Sequence, residues 1–181
     1  MTLSRLRIPL GYAFGLLALY LARPTALSVG LSLPLVVAGE TLRLWASGHI
    51  EKTRALATGG PYAHTRNPLY LGSVLLGLGV AVAAASAPVS VAMVIYFLVF
   101  YPSAIAGEAA YLRQKFTGQY DAWAAAVPLF FPRVVPAGPR DSHFARDRVR
   151  MNKEWRTALA VPLLLGLLGL RAWLRQTGQL P

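Results

Sequence analysis

Two polar clusters stand out in this mostly apolar chain because their residue types and spacing suit chemistry. The first is Gly59-Gly60-Pro61-Tyr62-Ala63-His64-Thr65-Arg66-Asn67-Pro68-Leu69-Tyr70-Leu71-Gly72, a turn-rich island between two apolar segments. Gly59-Gly60-Pro61 reads as a turn. Asn67-Pro68 reads as a helix start: Asn caps, and Pro tolerates the first helical position because its missing N–H would be unpaired anyway. Arg66 then lies just outside the positive end of a helix, where backbone N–H groups already favour an anion. An arginine that only anchors a membrane helix is the plainer reading. The second cluster is Glu108, at the point where an apolar helix turns polar, with Tyr111 and Leu112 one turn on. Its plain reading is a solvated helix-end carboxylate. Glu40 and Arg43 form a smaller group; at i,i+3 they face one side and are expected to pair. Ionisable residues inside an apolar span are costly and face a protein interior or cavity.

The elements that must position these groups follow from composition. The 181 residues are 55% hydrophobic and only 14% charged, too apolar for an ordinary soluble domain. By length the chain is one domain, 1–181. It has no Cys, and His49, His64 and His143 lie far apart, so no metal site is expected. The net charge of +11 admits nucleic acid or an anionic membrane as partner, and the apolar spans decide for the membrane.

Five spans are expected, which makes the chain an all-α polytopic membrane bundle. Ile8 to Ala22 is the first, bracketed by Arg7 and Arg23. It is short against the roughly 20 residues a bilayer needs, and snorkelling arginines make up the difference. A signal peptide is the rival, but no clear small-x-small cleavage site follows. Ala26 to Ala46 is the second, with Trp45 in an interfacial belt. Ile50 to Ala57 is expected as a short interfacial helix carrying Lys52 and Arg54. Leu69 to Ser86 is the third span, with Ser73, Gly77 and Ala81 forming a small-residue face for close packing. Val89 to Gly107 is the fourth; it continues as a polar helix through Phe116 and forms a tight hairpin with the third. Phe116 to Pro132 reads as an aromatic, proline-rich interfacial segment. Residues 133–153 form a basic cytoplasmic loop touching anionic lipid. RNA binding is disfavoured because no stacking motif accompanies the charge. The last apolar run, Thr157 to Leu170, is short. Trp155 and Trp173 flank it, however, and at about 1.5 Å per residue they are roughly 27 Å apart, close to a hydrocarbon thickness. It is expected as the fifth span, 155–173.

With the N-terminus inside, fifteen of the 18 Lys and Arg residues fall on the inner side and only Arg23, Arg171 and Arg175 outside. This count puts the first cluster and Glu108 together on the cytoplasmic face. A multi-pass protein of the bacterial inner membrane is expected.

With both clusters on one face, the residues resemble a known family. Gly60-Pro61-Tyr62, Arg66-Asn67-Pro68-Leu69-Tyr70 and Gly72 are similar to the G-x-Y-x-x-x-R-[HN]-P-x-Y-x-G element of the isoprenylcysteine carboxyl methyltransferase and phospholipid methyltransferase superfamily. Glu108, Leu112, Phe116, Tyr120, Val127-Pro128 and Pro132 resemble its second element, and Arg43-Leu44-Trp45-Ala46 its upstream segment. The similarity covers roughly 39–132. It implies S-adenosyl-L-methionine bound at the cytoplasmic membrane face, in a helical fold unrelated to Rossmann methyltransferases. Carried over, the cofactor-binding positions are Ala55, Leu56 and Ala57 (loosely), Tyr62, His64, Arg66, Asn67, Pro68, Leu69, Tyr70, Glu108 and Leu112. Arg66, Glu108 and Arg43 are the candidate catalytic residues. Arg66 and the helix start suit the cofactor's carboxylate, and Glu108 its ammonium or ribose hydroxyls.

The chain departs from the family pattern at four places. Asn67 replaces the usual His, Ala109 the second Glu, and the glycine after Phe116 is displaced to Gly118. Ala104 stands where the isoprenylcysteine enzymes carry an arginine for the acceptor carboxylate, so a carboxylate acceptor requires Arg43 to substitute. The expected acceptor is a lipophilic molecule or lipid entering sideways from the bilayer. Two other classes compete. A relative of the NADPH-dependent membrane sterol reductases would share the R-H-P-x-Y element, but Gly107-Glu108-Ala109-Ala110 lacks their basic-acidic run and cysteine. A non-catalytic scaffold or transporter would place its polar residues at mid-membrane rather than at one face.

Overall fold

A computed structural model of the protein describes residues 3–51, 55–137 and 143–179. The elements in order are α1 (Leu3–Leu21), α2 (Ala26–Ser47), a 3-10 helix (Gly60–Ala63), α3 (Pro68–Ala84), α4 (Ala87–Lys115), α5 (Gln119–Ala126), α6 (Arg146–Met151) and α7 (Trp155–Gln176). The described residues contain no strand, in keeping with the all-α expectation. α2, α4 and α7 are each long and apolar enough to cross a membrane; α3 is a shorter apolar helix of 17 residues. α7 runs well past the apolar run that announces it. Large side chains such as Leu31, Leu98 and Leu159 are exposed on the outer surface, where lipid would cover them.

Local chemistry sets the helix ends. Thr25 and Ser28 form a reciprocal capping box at the start of α2, each side chain accepting the other's backbone N–H at 3.0 Å. This end meets the end of α3: Ser28 Oγ donates to Ala83 O at 3.1 Å and the Arg23 N–H to Ala84 O at 2.8 Å. Arg171 on α7 donates to the Leu19 carbonyl at the same end of the bundle. The 3-10 helix, the start of α3, α6 and the start of α7 gather at the opposite end.

Glycine decides how α3 packs. α3 lies most extensively against α2 rather than against α4. A Cβ on Gly39 would stand 2.8 Å from the Gly72 carbonyl oxygen, and one on Gly79 2.5 Å from Val36 Cγ2. The expected small-residue row of Ser73, Gly77 and Ala81 therefore splits. Gly77 faces Phe97 and Met93 of α4, whereas Ser73 turns to α2. The spacing that matters is Gly72 to Gly79, seven residues, which returns to one helix face after two turns. The main apolar core joins α1, α2, α3 and α7 through Ala18, Val36, Leu76, Val80, Leu165 and Leu168.

One expected element is missing. Residues 50–51 and 55–58 are irregular, so the interfacial helix from Ile50 to Ala57 does not form there; Lys52 and Arg54 lie outside the described residues. Instead Ile50, Leu56 and Ala57 pack on a second small core of Tyr62, Tyr120, Trp123 and Val127. Burying this apolar face in a second small core removes the reason for a surface helix.

Candidate active site

The loop before α3 is held by chain that follows α5. Thr65 is 1% exposed, and its hydroxyl donates to the Phe130 carbonyl at 2.9 Å. The Arg66 N–H donates to Pro128 O, the Arg133 N–H to His64 O and the Ala137 N–H to Ala63 O, each at 2.9 Å. His64 Nδ1 lies 2.8 Å from Arg133 O, and because a carbonyl only accepts, that nitrogen carries the proton. Asn67 occupies the N-cap position of α3 with Pro68 after it, as expected. Its side chain does not cap: Nδ2 donates to the Leu129 carbonyl at 2.9 Å. The strap thus satisfies the backbone of a loop that has no regular partner of its own.

Tyr62 sits in the 3-10 helix beneath this strap. Gly60, at φ +58°, turns the chain into it, and a Cβ there would lie 2.5 Å from His49 Nε2. Trp123 Nε1 donates to the Tyr62 carbonyl at 3.0 Å. Burial pushes the Tyr62 phenol well above its ordinary value, and the negative charges of Glu108 and Glu154 add to that, against the pull of Arg43. Tyr62 is therefore a neutral hydroxyl near two carboxylates and a guanidinium.

Arg43 ties three helices together. Its Nη2 donates to Glu154 Oε1 at 2.9 Å and Oε2 at 2.8 Å, at the start of α7. Its Nη1 donates to the Leu69 carbonyl at 3.3 Å and to Ser73 Oγ on α3. This overturns the expected Glu40–Arg43 pair. Both Glu40 carboxylate oxygens are buried without a hydrogen-bond partner among the described residues. Glu154 takes the guanidinium because it can approach end-on from a neighbouring helix, which a side chain one turn away on α2 does not do.

A cavity of about 790 Å³ opens beside this junction, between α1, α3, α4 and α7. At one end it is lined by Arg43, Tyr70, Ser73, Glu108, Glu154, Arg156 and Thr157. Its remaining walls are apolar: Leu16 and Leu19 from α1, Leu76 from α3, and Val161, Leu163, Leu164 and Leu167 from α7. Tyr70 and Tyr101 meet edge to face at its side, ring centroids 5.2 Å apart.

Of the residues singled out from sequence, the cavity brings together Arg43, Leu69, Tyr70 and Glu108. Leu56, Ala57, Tyr62 and Leu112 instead share the small apolar core with Trp123, and Leu69 borders both. Pro68 is buried at the first turn of α3, and Ala55 is exposed. His64 Nδ1 and Asn67 Nδ2 are engaged by the strap. Arg66 Nε is buried without a partner among the described residues. No group of three or more His, Asp or Glu side chains able to hold a metal occurs among the described residues. Sequence reasoning missed Glu154, Arg156 and Thr157. Glu154 is one of only seven acidic residues and directly precedes Trp155, at the start of the last apolar run; that position was the available signal.

Comparison with known proteins bears on this arrangement. The family described as phospholipid methyltransferase matches residues 27–119, half of the chain. The cobalt-zinc-cadmium resistance protein CzcN of Cupriavidus metallidurans is 34% identical over 94 residues, 51% of this chain and 43% of the relative. The nickel-cobalt-cadmium resistance protein NccN of Alcaligenes xylosoxydans xylosoxydans is 32% identical over 94 residues, 51% of this chain and 44% of the relative. The chain thus spans less than half the length of these curated relatives. No solved structure matches.

Proposed function

Because the chain belongs to the phospholipid methyltransferase family, we propose that it is an integral membrane methyltransferase that uses S-adenosyl-L-methionine and acts on a lipophilic acceptor. The observation that carries this reading is the cavity, which joins a polar end bearing Glu108 to apolar walls on α1 and α7. The residues present fit the cofactor. Arg66 offers a buried Nε with no partner among the described residues, suited to a carboxylate beside the start of α3. Glu108 suits an ammonium or ribose hydroxyls.

S-adenosyl-L-methionine, held by Arg66 and Glu108, would supply a methyl group carried on a sulfonium. The protein's own part is position and dryness. Apolar walls exclude water and align a tail along the helices. A neutral nucleophile sheds a proton as it is methylated. Glu108 accepts it, being the carboxylate at the cavity that Arg43 does not engage.

Five helices cross the membrane in this reading, with the N-terminus and the site in the cytoplasm of a bacterial inner membrane. What supports α7 as a crossing helix is its two ends: Glu154 meets Arg43 at the polar end and Arg171 meets Leu19 at the other. The names of the two relatives further suggest that the methylation serves metal tolerance.

The test is ligand-dependent thermal unfolding of the full chain in detergent. S-adenosylhomocysteine at 100 times its dissociation constant is expected to add about 2.7 kcal/mol of stability. A shift with NADPH and none with S-adenosylhomocysteine would overturn the assignment.

A further inference from the structure

The polar end of the cavity holds one buried cation suited to an anionic acceptor group, and both of its terminal nitrogens are already engaged. Side-chain exposure is 15% for Arg43 and 9% for Glu154. Both Glu154 oxygens accept from Nη2, and Nη1 is committed to Leu69 O and Ser73 Oγ; Nε, the remaining donor, is itself buried and has no partner among the described residues. The remaining charges at the cavity are Glu108 and Arg156. Arg156 is exposed and lies over the Trp155 ring, 5.6 Å from its centroid, where water screens it. An acceptor whose reacting end is anionic would therefore have to displace a buried carboxylate from its guanidinium and approach Glu108. Leaving either partner of a buried ion pair alone is costly.

We infer that Glu154 is a specificity-determining residue: by occupying Arg43 it excludes carboxylates from the acceptor end of the cavity and admits acceptors whose reacting end is a neutral nucleophile. Glu154 lies outside the family-matched residues 27–119, so this selection is imposed by the last helix and not by the shared core. The inference rests on the reading of the cavity as the acceptor site. It adds a rule that the family match does not contain.

The test compares three probes of equal tail length, palmitate, hexadecanol and hexadecanethiol, binding to the full-length protein in nanodiscs of uncharged lipid. Wild type is expected to bind the alcohol and the thiol better than palmitate. Glu154→Gln, which frees Arg43, is expected to move the palmitate-to-hexadecanol ratio about tenfold toward palmitate. The double variant Arg43→Gln with Glu154→Gln, lacking the cation, is expected to return the ratio to the wild-type value. Palmitate binding to wild type as tightly as hexadecanol would overturn the inference, whether or not the single variant folds. So would a ratio unchanged in a folded Glu154→Gln. The ratio is read without turnover. A missing S-adenosylhomocysteine shift on the same sample would count against the methyltransferase reading alone, and the ratio would still decide the role of Glu154.

Discussion

Glu154, the residue just before α7, closes onto Arg43 of α2 across 111 positions of sequence, with both carboxylate oxygens within 2.9 Å of one guanidinium nitrogen. Truncating one partner strands the other's charge, and this costs about 3–5 kcal/mol in a buried pair. Arg43→Met and Glu154→Leu are each expected to lower the melting temperature sharply. Together they are expected to cost less than the sum of the two, because no charge is left unmatched. Thermal unfolding of the four proteins of this cycle measures the coupling; simple additivity would show that the pair contributes nothing specific.

Arg66 and Glu108 lie near the ends of α3 and α4, where truncation leaves no core cavity. Arg66→Ala and Glu108→Gln are expected to abolish methyl transfer with size-exclusion profile and helix content unchanged. Labelled-methyl incorporation into a lipid fraction is the measurement. Wild-type turnover in either variant removes that residue from the site.

Glu40 has no hydrogen-bond partner for either buried oxygen among the described residues. An amide of the same shape avoids burying an uncompensated charge. Glu40→Gln is expected to stabilise the protein by about 1 kcal/mol, or roughly 2–4 °C for a chain of this size. A melting temperature lower than wild type would show that the carboxylate has a partner that matters.

The Tyr62 phenol is raised by burial and by two nearby carboxylates, so the folded state holds its proton more tightly than the unfolded state does. The associated stability is complete below the ordinary phenol value of 10.0 and is lost as pH climbs through that value toward the raised one. Wild type is expected to lose stability above about pH 10 more steeply than Tyr62→Phe. Unfolding curves at pH 9 and pH 11 compare the two slopes, and parallel slopes would refute the claim.

Reporter fusions after Arg23 and Gln176 are expected to report the outer side, and one after Arg140 the inner side. A cytoplasmic signal after Gln176 would remove α7 from the crossing helices.

The apolar runs made the long helices legible, because length and composition alone decide what a bilayer accepts. The helix start at Asn67-Pro68 was legible too, since Pro is so restricted there. What the sequence hid was pairing at a distance. Adjacency favoured Glu40 for Arg43, but side-chain approach favoured Glu154 on another helix. The Asn67 amide was read as a local cap, yet the strap at Leu129 competed for it and won. A short interfacial helix is expected from Ile50 to Ala57 on composition alone; Ile50, Leu56 and Ala57 instead find their partners in Tyr120 and Trp123, distant in sequence.

The contact of Gly39 with Gly72 decides where the bundle can accept added volume. Backbone touches backbone there, and a Cβ on Gly72 would lie 2.8 Å from the Gly39 carbonyl oxygen and 2.6 Å from Arg43 Cγ. Neither glycine has room for a side chain, so α2 and α3 are held as one closely packed pair. At Gly15 on α1, which lines the cavity, no heavy atom lies within 4 Å of where a Cβ would stand. Added volume is therefore tolerated on the α1 wall of the cavity, where Gly15→Ala would meet no neighbour, and not along the seam of α2 with α3.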